Sequence, residues 1–270
     1  MDKNLTLLTD FYELTMMNGY LQNGMADKVA VFDLFFRQGN ESTFCIACGL
    51  EQAIDYIKNI SFGKEEIEYL RSLGTFGEDF LARLAGFKFK GDVRALPEGT
   101  VVFPNEPLMV IKGSVFEAQL LEAALLNIVN FQTLIATKAA RVVRAARGRG
   151  VLEFGLRRAQ APDAAVYGAR AAVIGGCVGT SNVLASMLFD TEPKGTHAHS
   201  WVMSFDDELS AFRPYAELYP TNCLLLIDTY DTLKSGLPNA ITVFRELKEK
   251  GYKPVGVRLD SGDLAYLTKE

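Results

Sequence analysis

Two histidines with the potential for chemistry lie in the segment KGTHAHSW, residues 194–201. His197 and His199 are the only histidines in the 270 residues. An imidazole can bind a metal, transfer a proton or act as a nucleophile, and it can also be a hydrogen-bonded core residue. Residues two apart in a strand face the same side, so a shared metal would be feasible, but Asp228 or Asp260 would have to supply a third ligand. We favour chemistry at one histidine, with a supporting or structural role for the other.

Other polar side chains come directly after apolar runs that are predicted to be strands. Guanidinium groups pair with carboxylates or phosphates, and aspartates can hold ribose hydroxyls, stabilise positive charge or position Mg²⁺. Together, the polar residues that follow these apolar runs predict a pocket for a small anionic molecule. The alternative is that they only mark where strands give way to loops. They are Arg157 and Arg158 after VLEFG, Thr180, Ser181 and Asn182 after AVIGGCV, Asp228, Thr229 and Asp231 after CLLLI, and Arg258, Asp260, Ser261 and Asp263 after PVGV.

Strands and helices alternate from about residue 150, which predicts a parallel sheet. The five predicted strands are VLEFG, AVIGGCV, PKGTHAH, CLLLIDTY and PVGVRLDS. No G-x-G-x-x-G pattern follows the first strand, and the phosphate-binding G-x-x-x-x-G-K-[ST] pattern does not occur in the sequence. The sequence therefore gives no support for an open nucleotide-binding sheet. Polar residues at the ends of five strands favour a (β/α) barrel, whose active site lies at the carboxyl ends of its strands.

The first half of the chain has a mixed pattern that predicts an α+β domain. Strands are expected at 28–37, 101–103 and 108–112, and helices at 49–60, 63–73 and from about 116 to 146. The predicted fold class is α/β, with an N-terminal α+β domain at 1–135 that ends in the long helix. An incomplete (β/α) barrel of about five units follows at 136–270.

Composition narrows the class of protein. A net charge of −5 gives no basic excess for nucleic acid, and no apolar run approaches the roughly 18 residues of a membrane span. The N-terminal segment has polar residues where a signal peptide is apolar, so a cytoplasmic protein is expected. Cys45 and Cys48 form half of a zinc pattern, but Cys177 and Cys223 lie far away, which favours buried reduced thiols.

Several blocks in order along the chain resemble nicotinate phosphoribosyltransferase, of which FGLRRAQ and GT-x-AH are the most specific. The resemblance implies the type II phosphoribosyltransferase kind of barrel. The matching blocks are LLTDFYELTMMNGY (7–20), VFDLFFR (31–37), LEAALLNIVNFQTLIATKAARVV (121–143), FGLRRAQ (154–160), GTSNVLA (179–185), GTHAHSWV (195–202), LLIDTYDT (225–232) and VRLDSGD (257–263).

The resemblance implies a reaction that joins nicotinate to phosphoribosyl pyrophosphate (PRPP). It gives nicotinate mononucleotide and pyrophosphate in NAD salvage. ATP is implied as a co-substrate, coupled through a phosphohistidine in a ligase-type reaction, with Mg²⁺ accompanying PRPP and ATP. The family's reactive histidine is the last residue of GT-x-AH, which is His199 here, and catalytic roles are implied for Asp228 and Asp260. His197 occupies the variable position, and no resident metal is implied.

Substrate-binding roles are also implied residue by residue. Phe154 should stack on one face of the pyridine, and Tyr12 should cover the other from the partner subunit of a homodimer. Arg157 should contact a carboxylate or phosphate. Ser181 stands where nicotinamide enzymes carry an acid, so its hydroxyl can donate to the nicotinate carboxylate. The remaining implied contacts to ribose, pyrophosphate or phosphate are Arg258, Arg37 across the dimer interface and, as weaker candidates, Thr137 and Lys138.

Length limits what this chain is expected to do alone. A closed eight-stranded barrel needs about 250 residues, whereas only five units are predicted here. We therefore expect an N-terminal portion of the enzyme that is inactive without the rest. Alternative functions are a nicotinamide or quinolinate phosphoribosyltransferase, a nicotinate-binding pseudoenzyme fragment, and a metal-binding protein that uses the histidines and cysteines.

Overall fold

The computed structural model describes residues 4–38 and 43–270, which form two compact units. The first unit is Met1–Pro193 and the second is Lys194–Glu270. The domain boundary predicted between residues 135 and 136 lies inside a long helix of the first unit, and it stays a prediction. Within the two described ranges, no helix is long and apolar enough to cross a membrane.

Helices packed against small antiparallel sheets form most of the first unit. Its first six helices are α1 Phe11–Gln22, α2 Leu50–Asn59, α3 Lys64–Ser72, α4 Glu78–Ala85, α5 Val115–Leu120 and α6 Glu122–Ala145. Its strands are β1 Val29–Leu34, β2 Cys45–Ile46, β3 Asp92–Ala95, β4 Val101–Val102 and β5 Met109–Ser114. Strand β5 lies between β1 and β3, and β2 pairs with β4, all antiparallel. The α+β part of the predicted fold class is confirmed.

Alternation along the strands places one side of the three-stranded sheet in the main apolar core. Leu34 and Ile111 are buried there with Phe80 and Phe116, whereas Val31 of β1 is exposed. This is the pattern expected when successive residues point to opposite faces. The helix predicted over about 116–146 is present as α5 and α6, which are separated by a single residue.

The barrel part begins with three short parallel segments rather than full strands. Glu153 bridges Thr180, and Thr180 bridges Pro193. Helices α7 Pro162–Ile174 and α8 Val183–Phe189 connect these segments. The strand predicted at AVIGGCV is wrong, because its first three residues belong to α7. The helix ends where Gly175 and Gly176 follow, and Gly176 has a φ of 105° that favours glycine.

The second unit contains α9 His199–Met203, α10 Glu208–Leu218, β6 Leu224–Leu226, α11 Leu237–Glu249, β7 Gly256–Arg258 and α12 Leu264–Lys269. Strands β6 and β7 are parallel, and α10 and α11 pack on each other through an apolar core around Phe212, Leu225 and Val243. The strand predicted at PKGTHAH is wrong. Residues 194–198 are irregular, and His199 begins a helix. Pro193 and Gly195 both weaken a strand at this point.

Candidate active site

His199 and Asp228 form the centre of the candidate site in the second unit. Asp228 lies two residues beyond β6, and His199 is the first residue of α9. Nε2 of His199 lies 3.2 Å from Oδ1 of Asp228. The Asp228 side chain is 1% exposed, while that of His199 is 38% exposed. A buried carboxylate therefore holds an imidazole that is open to solvent on part of its surface.

Three donors converge on the Asp228 carboxylate. Oδ2 accepts from the Ser261 hydroxyl at 2.6 Å and from the Asp260 backbone N–H at 2.9 Å, while Oδ1 faces His199. Burial raises the pKa of Asp228, but the hydrogen bonds from Ser261, Asp260 and His199 outweigh burial and hold the pKa below its usual value. The carboxylate is thus ionised at neutral pH, as an electrostatic partner for an imidazole must be.

His197 is a core residue with partners of its own. Its Nε2 accepts from the Leu226 backbone N–H at 3.2 Å, and its ring meets Tyr215 edge-on at 4.7 Å between centroids. Because Nε2 accepts, the neutral ring carries its proton on Nδ1. Burial lowers the pKa of His197, which keeps it neutral. The core interpretation holds for His197, and its predicted same-face pairing with His199 is wrong, because the segment is not a strand.

Arg258 lies at the same sheet edge as Asp228. Leu226 and Arg258 are register partners in the β6–β7 pair, so Asp228 and Asp260 each lie two residues beyond a paired position. One guanidinium nitrogen of Arg258 donates to Thr196 Oγ1 at 2.9 Å, and another donates to Asp260 Oδ1 at 2.8 Å. This edge therefore carries a cation and two carboxylates beside the imidazole.

Phe154 and Ser181 are brought together in the first unit. They follow Glu153 and Thr180, which form a parallel bridge, and the Ser181 N–H donates to the Glu153 carbonyl at 3.0 Å. The Glu153 carboxylate accepts from the Thr180 hydroxyl at 2.6 Å and from the Gly155 N–H. Phe154 and Ser181 therefore follow two adjacent parallel segments, and their roles in substrate binding stay predictions.

Two family models match the chain. The nicotinate phosphoribosyltransferase N-terminal domain matches residues 7–130, and the nicotinate phosphoribosyltransferase family matches residues 150–270. Together they leave out only residues 1–6 and 131–149. The chain belongs to the nicotinate phosphoribosyltransferase family. The resemblance found in the sequence blocks is thereby confirmed.

Nicotinate phosphoribosyltransferases of two bacteria are similar to this chain over almost all of its length. The nicotinate phosphoribosyltransferase of Bacillus subtilis is 48% identical over 100% of this chain and 55% of its own length. A Mycobacterium tuberculosis nicotinate phosphoribosyltransferase is 45% identical over 97% of this chain and 56% of its own length. The chain thus spans about half the length of the curated relatives that it matches.

Solved structures confirm the fold class. Human nicotinic acid phosphoribosyltransferase is 34% identical, with a TM-score of 0.88 over 97% of this chain and 62% of its own chain. A nicotinate-nucleotide pyrophosphorylase from Pyrococcus furiosus has a TM-score of 0.71 over 97% of this chain and 68% of its own, at 22% identity. The fold is therefore the type II phosphoribosyltransferase kind, in which the α+β part precedes the barrel segments.

Tyr12 lies on the exposed side of α1 in this nicotinate phosphoribosyltransferase family member. The side chain is 46% exposed, and its hydroxyl donates to Glu122 Oε1 at 2.8 Å. The hydrogen bond to Glu122 raises the pKa of Tyr12 to about 12. The Tyr12 side chain is therefore exposed, and its hydroxyl is fixed by Glu122. Its contact with a second subunit stays a prediction.

The other predicted binding residues of the first unit fall into two groups. Arg157, in a 3-10 turn at Leu156–Arg158, and Arg37 and Lys138 are exposed cations. Thr137 is buried, and its hydroxyl accepts from the Ile46 N–H at 2.9 Å and donates to the Thr133 carbonyl at 2.6 Å. The bond from Ile46 joins β2 to α6, whereas the bond to Thr133 lies within α6. The substrate roles of all four residues stay predictions.

Some polar residues at the predicted strand ends are helix caps instead. The side chains of Asn182, Asp231 and Asp263 accept from backbone N–H groups at the starts of the next helical segments. These three side chains therefore have local roles where helical segments begin. A cap signal, a short polar residue just before an apolar helical pattern, identifies them in the sequence.

Metal ligation was the alternative for the histidines and cysteines. Across residues 4–38 and 43–270, no group of three or more His, Cys, Asp or Glu side chains is placed to hold a metal ion. All four cysteines are free and buried, which agrees with the expected reduced thiols.

Three side chains position site residues but received no individual role from the sequence, although Ser261 belonged to the cluster of polar residues that predicted the pocket. Ser261 holds Asp228, Glu153 holds the ends of the Phe154 and Ser181 segments, and Glu122 holds Tyr12. Ser261 follows Asp260 directly in DSGD, so its motif was available as a signal. Glu153 is marked in the sequence only by its place before Phe154, and Glu122 only by its place inside the block at 121–143. The partners Thr180 and Tyr12 are distant in sequence.

Proposed function

We propose that this chain takes part in phosphoribosyl transfer from PRPP to nicotinate, forming nicotinate mononucleotide and pyrophosphate in NAD salvage. ATP hydrolysis is coupled to the transfer through a phosphohistidine at His199. The observation that carries this proposal is the His199–Asp228 pair beside Arg258 at one sheet edge. An accessible imidazole with an ionised carboxylate on one nitrogen is suited to accept a phosphoryl group on the other.

The phosphoryl step follows from the hydrogen bond at Nε2. With its proton on Nε2 facing Asp228, a neutral His199 has its lone pair on Nδ1. Nδ1 attacks the γ-phosphorus of ATP, an N–P bond forms, and the P–O bond to ADP breaks. The carboxylate stabilises the imidazolium character that develops, and water later hydrolyses the phosphohistidine. The negative charge of the phosphate on His199 is expected to attract the nearby Arg258 guanidinium.

The phosphoribosyl step needs positioning more than acid–base chemistry. The pyridine nitrogen of nicotinate has a free lone pair, so it attacks the anomeric carbon of PRPP as the C–O bond to pyrophosphate breaks, and no base is required. Phe154 would stack on the ring, and the Ser181 hydroxyl would donate to the nicotinate carboxylate. Tyr12 of a second copy would cover the other ring face in a homodimer.

Cationic side chains are proposed to stabilise the negative charge of the departing pyrophosphate. PRPP and ATP enter as Mg²⁺ complexes, and exposed cations can neutralise the phosphates as pyrophosphate departs. Arg258 and Asp260 are proposed for the ribose and pyrophosphate, and Arg157, Arg37 and Lys138 for carboxylate or phosphate oxygens. The proposed compartment is the cytoplasm, where PRPP and ATP are available.

The test combines phosphate trapping with substrate selection. After incubation with ATP, mass spectrometry should find acid-labile phosphate on His199, absent in His199→Asn and retained in the neighbouring control Ser200→Ala. In an enzyme completed by a second chain, nicotinate and PRPP should give nicotinate mononucleotide faster with ATP than without. No phosphate on His199 together with ATP-independent turnover would remove the coupling. Product from nicotinamide or quinolinate, but not from nicotinate, would redirect the substrate assignment.

A further inference from the structure

We infer that Ser261 is a positioning residue of this site: its hydroxyl fixes the Asp228 carboxylate, which in turn fixes the ring orientation and tautomer of His199. The consequence for phosphoryl transfer rests on the proposed function. The positioning itself rests only on contacts within the second unit, and it can be measured without turnover.

The geometry divides the two carboxylate oxygens of Asp228 between different tasks. Oδ2 accepts from the Ser261 hydroxyl at 2.6 Å and from the Asp260 N–H at 2.9 Å. Oδ1 lies 3.2 Å from Nε2 of His199. Because the Asp228 side chain is only 1% exposed, water has little access to replace a lost donor. Two donors on Oδ2 therefore stop the carboxylate from rotating and keep Oδ1 aimed at the imidazole.

A tight turn after β7 makes this double anchoring feasible. Asp260 and Ser261 are consecutive, and both donate to the same oxygen, one from the backbone and one from the side chain. Gly262 follows with a φ of 75°, in the left-handed region that favours glycine, and Asp263 then caps α12. The chain can thus place a hydroxyl beside a backbone donor and turn at once into the next helix.

The two histidines should adopt opposite neutral tautomers. His199 holds its proton on Nε2 because that nitrogen faces the ionised Asp228. His197 holds its proton on Nδ1 because its Nε2 accepts from the Leu226 N–H. Only two histidines are present, so ¹⁵N-histidine NMR gives one signal set for each ring, and His197 serves as an internal reference for the fold.

Removal of the hydroxyl should disturb only one of these rings. At alkaline pH, where imidazoles are neutral, Ser261→Ala should move the ¹⁵N shifts of His199 toward a tautomer mixture and leave those of His197 unchanged. The isosteric pair Ser261→Thr and Ser261→Val separates hydroxyl from size, and only Thr should retain the parent pattern. Ser235→Ala is the matched control, because Ser235 donates to Glu208, another buried carboxylate of this unit, at 2.7 Å.

Phosphorylation provides the second readout. Loss of one hydrogen bond to a charged acceptor should slow labelling of His199 by ATP about tenfold in Ser261→Ala and Ser261→Val, with near-parental labelling in Ser261→Thr and Ser235→Ala. Unchanged His199 shifts in both Ala and Val variants, or equal shifts in Thr and Val, would overturn the positioning role. A tautomer change in a protein that ATP never labels would uphold positioning and reject the ATP coupling instead.

Discussion

Ala161 adopts a backbone conformation that disfavours any side chain. Its φ is 90° and its ψ is 159°, a region populated almost only by glycine, and the residue lies between the FGLRRAQ loop and α7. A non-glycine residue in this conformation strains the folded state by about 1–3 kcal/mol. Replacing alanine by glycine also lowers the free energy of unfolding by about 0.4–1 kcal/mol, because the unfolded chain gains conformational entropy. Ala161→Gly should therefore stabilise the fold by about 1 kcal/mol.

A matched substitution two residues earlier isolates the strain. Ala159 has a φ of −70° and a ψ of 152°, which alanine adopts without strain. Ala159→Gly should therefore lower the free energy of unfolding by about 0.5 kcal/mol, through the entropy of the unfolded chain alone. The two variants make the same chemical change in the same loop. Opposite signs are expected because only Ala161 has a positive φ.

Thermal unfolding and urea titration measure the difference. A gain of about 1 kcal/mol should raise the melting temperature by about 2–4 °C in a chain of this size, and Ala159→Gly should lower it. The urea slope should not change, because neither substitution alters the surface that unfolding exposes. If Ala161→Gly lowers stability as much as Ala159→Gly does, the strain at residue 161 does not exist.

Three further predictions follow from the hydrogen-bond partners of the site. Glu122→Gln should lower the pKa of Tyr12 from about 12 toward its ordinary value, because the charged acceptor is lost; ultraviolet difference titration against Tyr12→Phe reports it. His197→Ala should destabilise by about 2–4 kcal/mol in urea, because a cavity opens and the Leu226 N–H loses its acceptor; an effect under about 1 kcal/mol would contradict the core role. The pKa of Asp228 is lowered on folding, so its stabilisation is present above the unfolded pKa of about 3.9 and is lost as pH falls through the folded pKa. Asp228→Asn should flatten this acid limb of the urea midpoint, and an unchanged acid limb would refute it.

Secondary structure was predictable where the pattern is local. The amphipathic spacing of 49–60 and 63–73 predicts α2 and α3, and the β-branched run at 28–37 contains β1. The two wrong strands have a shared cause. AVIGGCV is apolar because it ends a buried helix and enters a glycine turn, and PKGTHAH takes part in the sheet only through the bridge at its first residue. Apolar content alone does not separate a buried helix end from a buried strand.

The polar residues after the predicted strands gave candidate positions for a pocket, and only the motifs gave individual residues a proposed role. FGLRRAQ and GT-x-AH single out Phe154 and His199, and the structure places Phe154 beside Ser181 because their preceding residues bridge in parallel. Thr137 shows the limit of this reasoning. Its position in ATKAAR gives it the same standing as Lys138, yet one side chain is buried with a fully engaged hydroxyl and the other is exposed.

The sequence by itself determined the family and the α/β class, because these depend on residue order and local periodicity. Only the tertiary structure decided which of the two histidines faces a carboxylate and which is buried. A single residue separates His197 from His199 in the chain, but their partners Leu226 and Asp228 each lie 29 residues further along. Such long-range contacts form when β6 packs beside the histidine segment, and no local pattern encodes them.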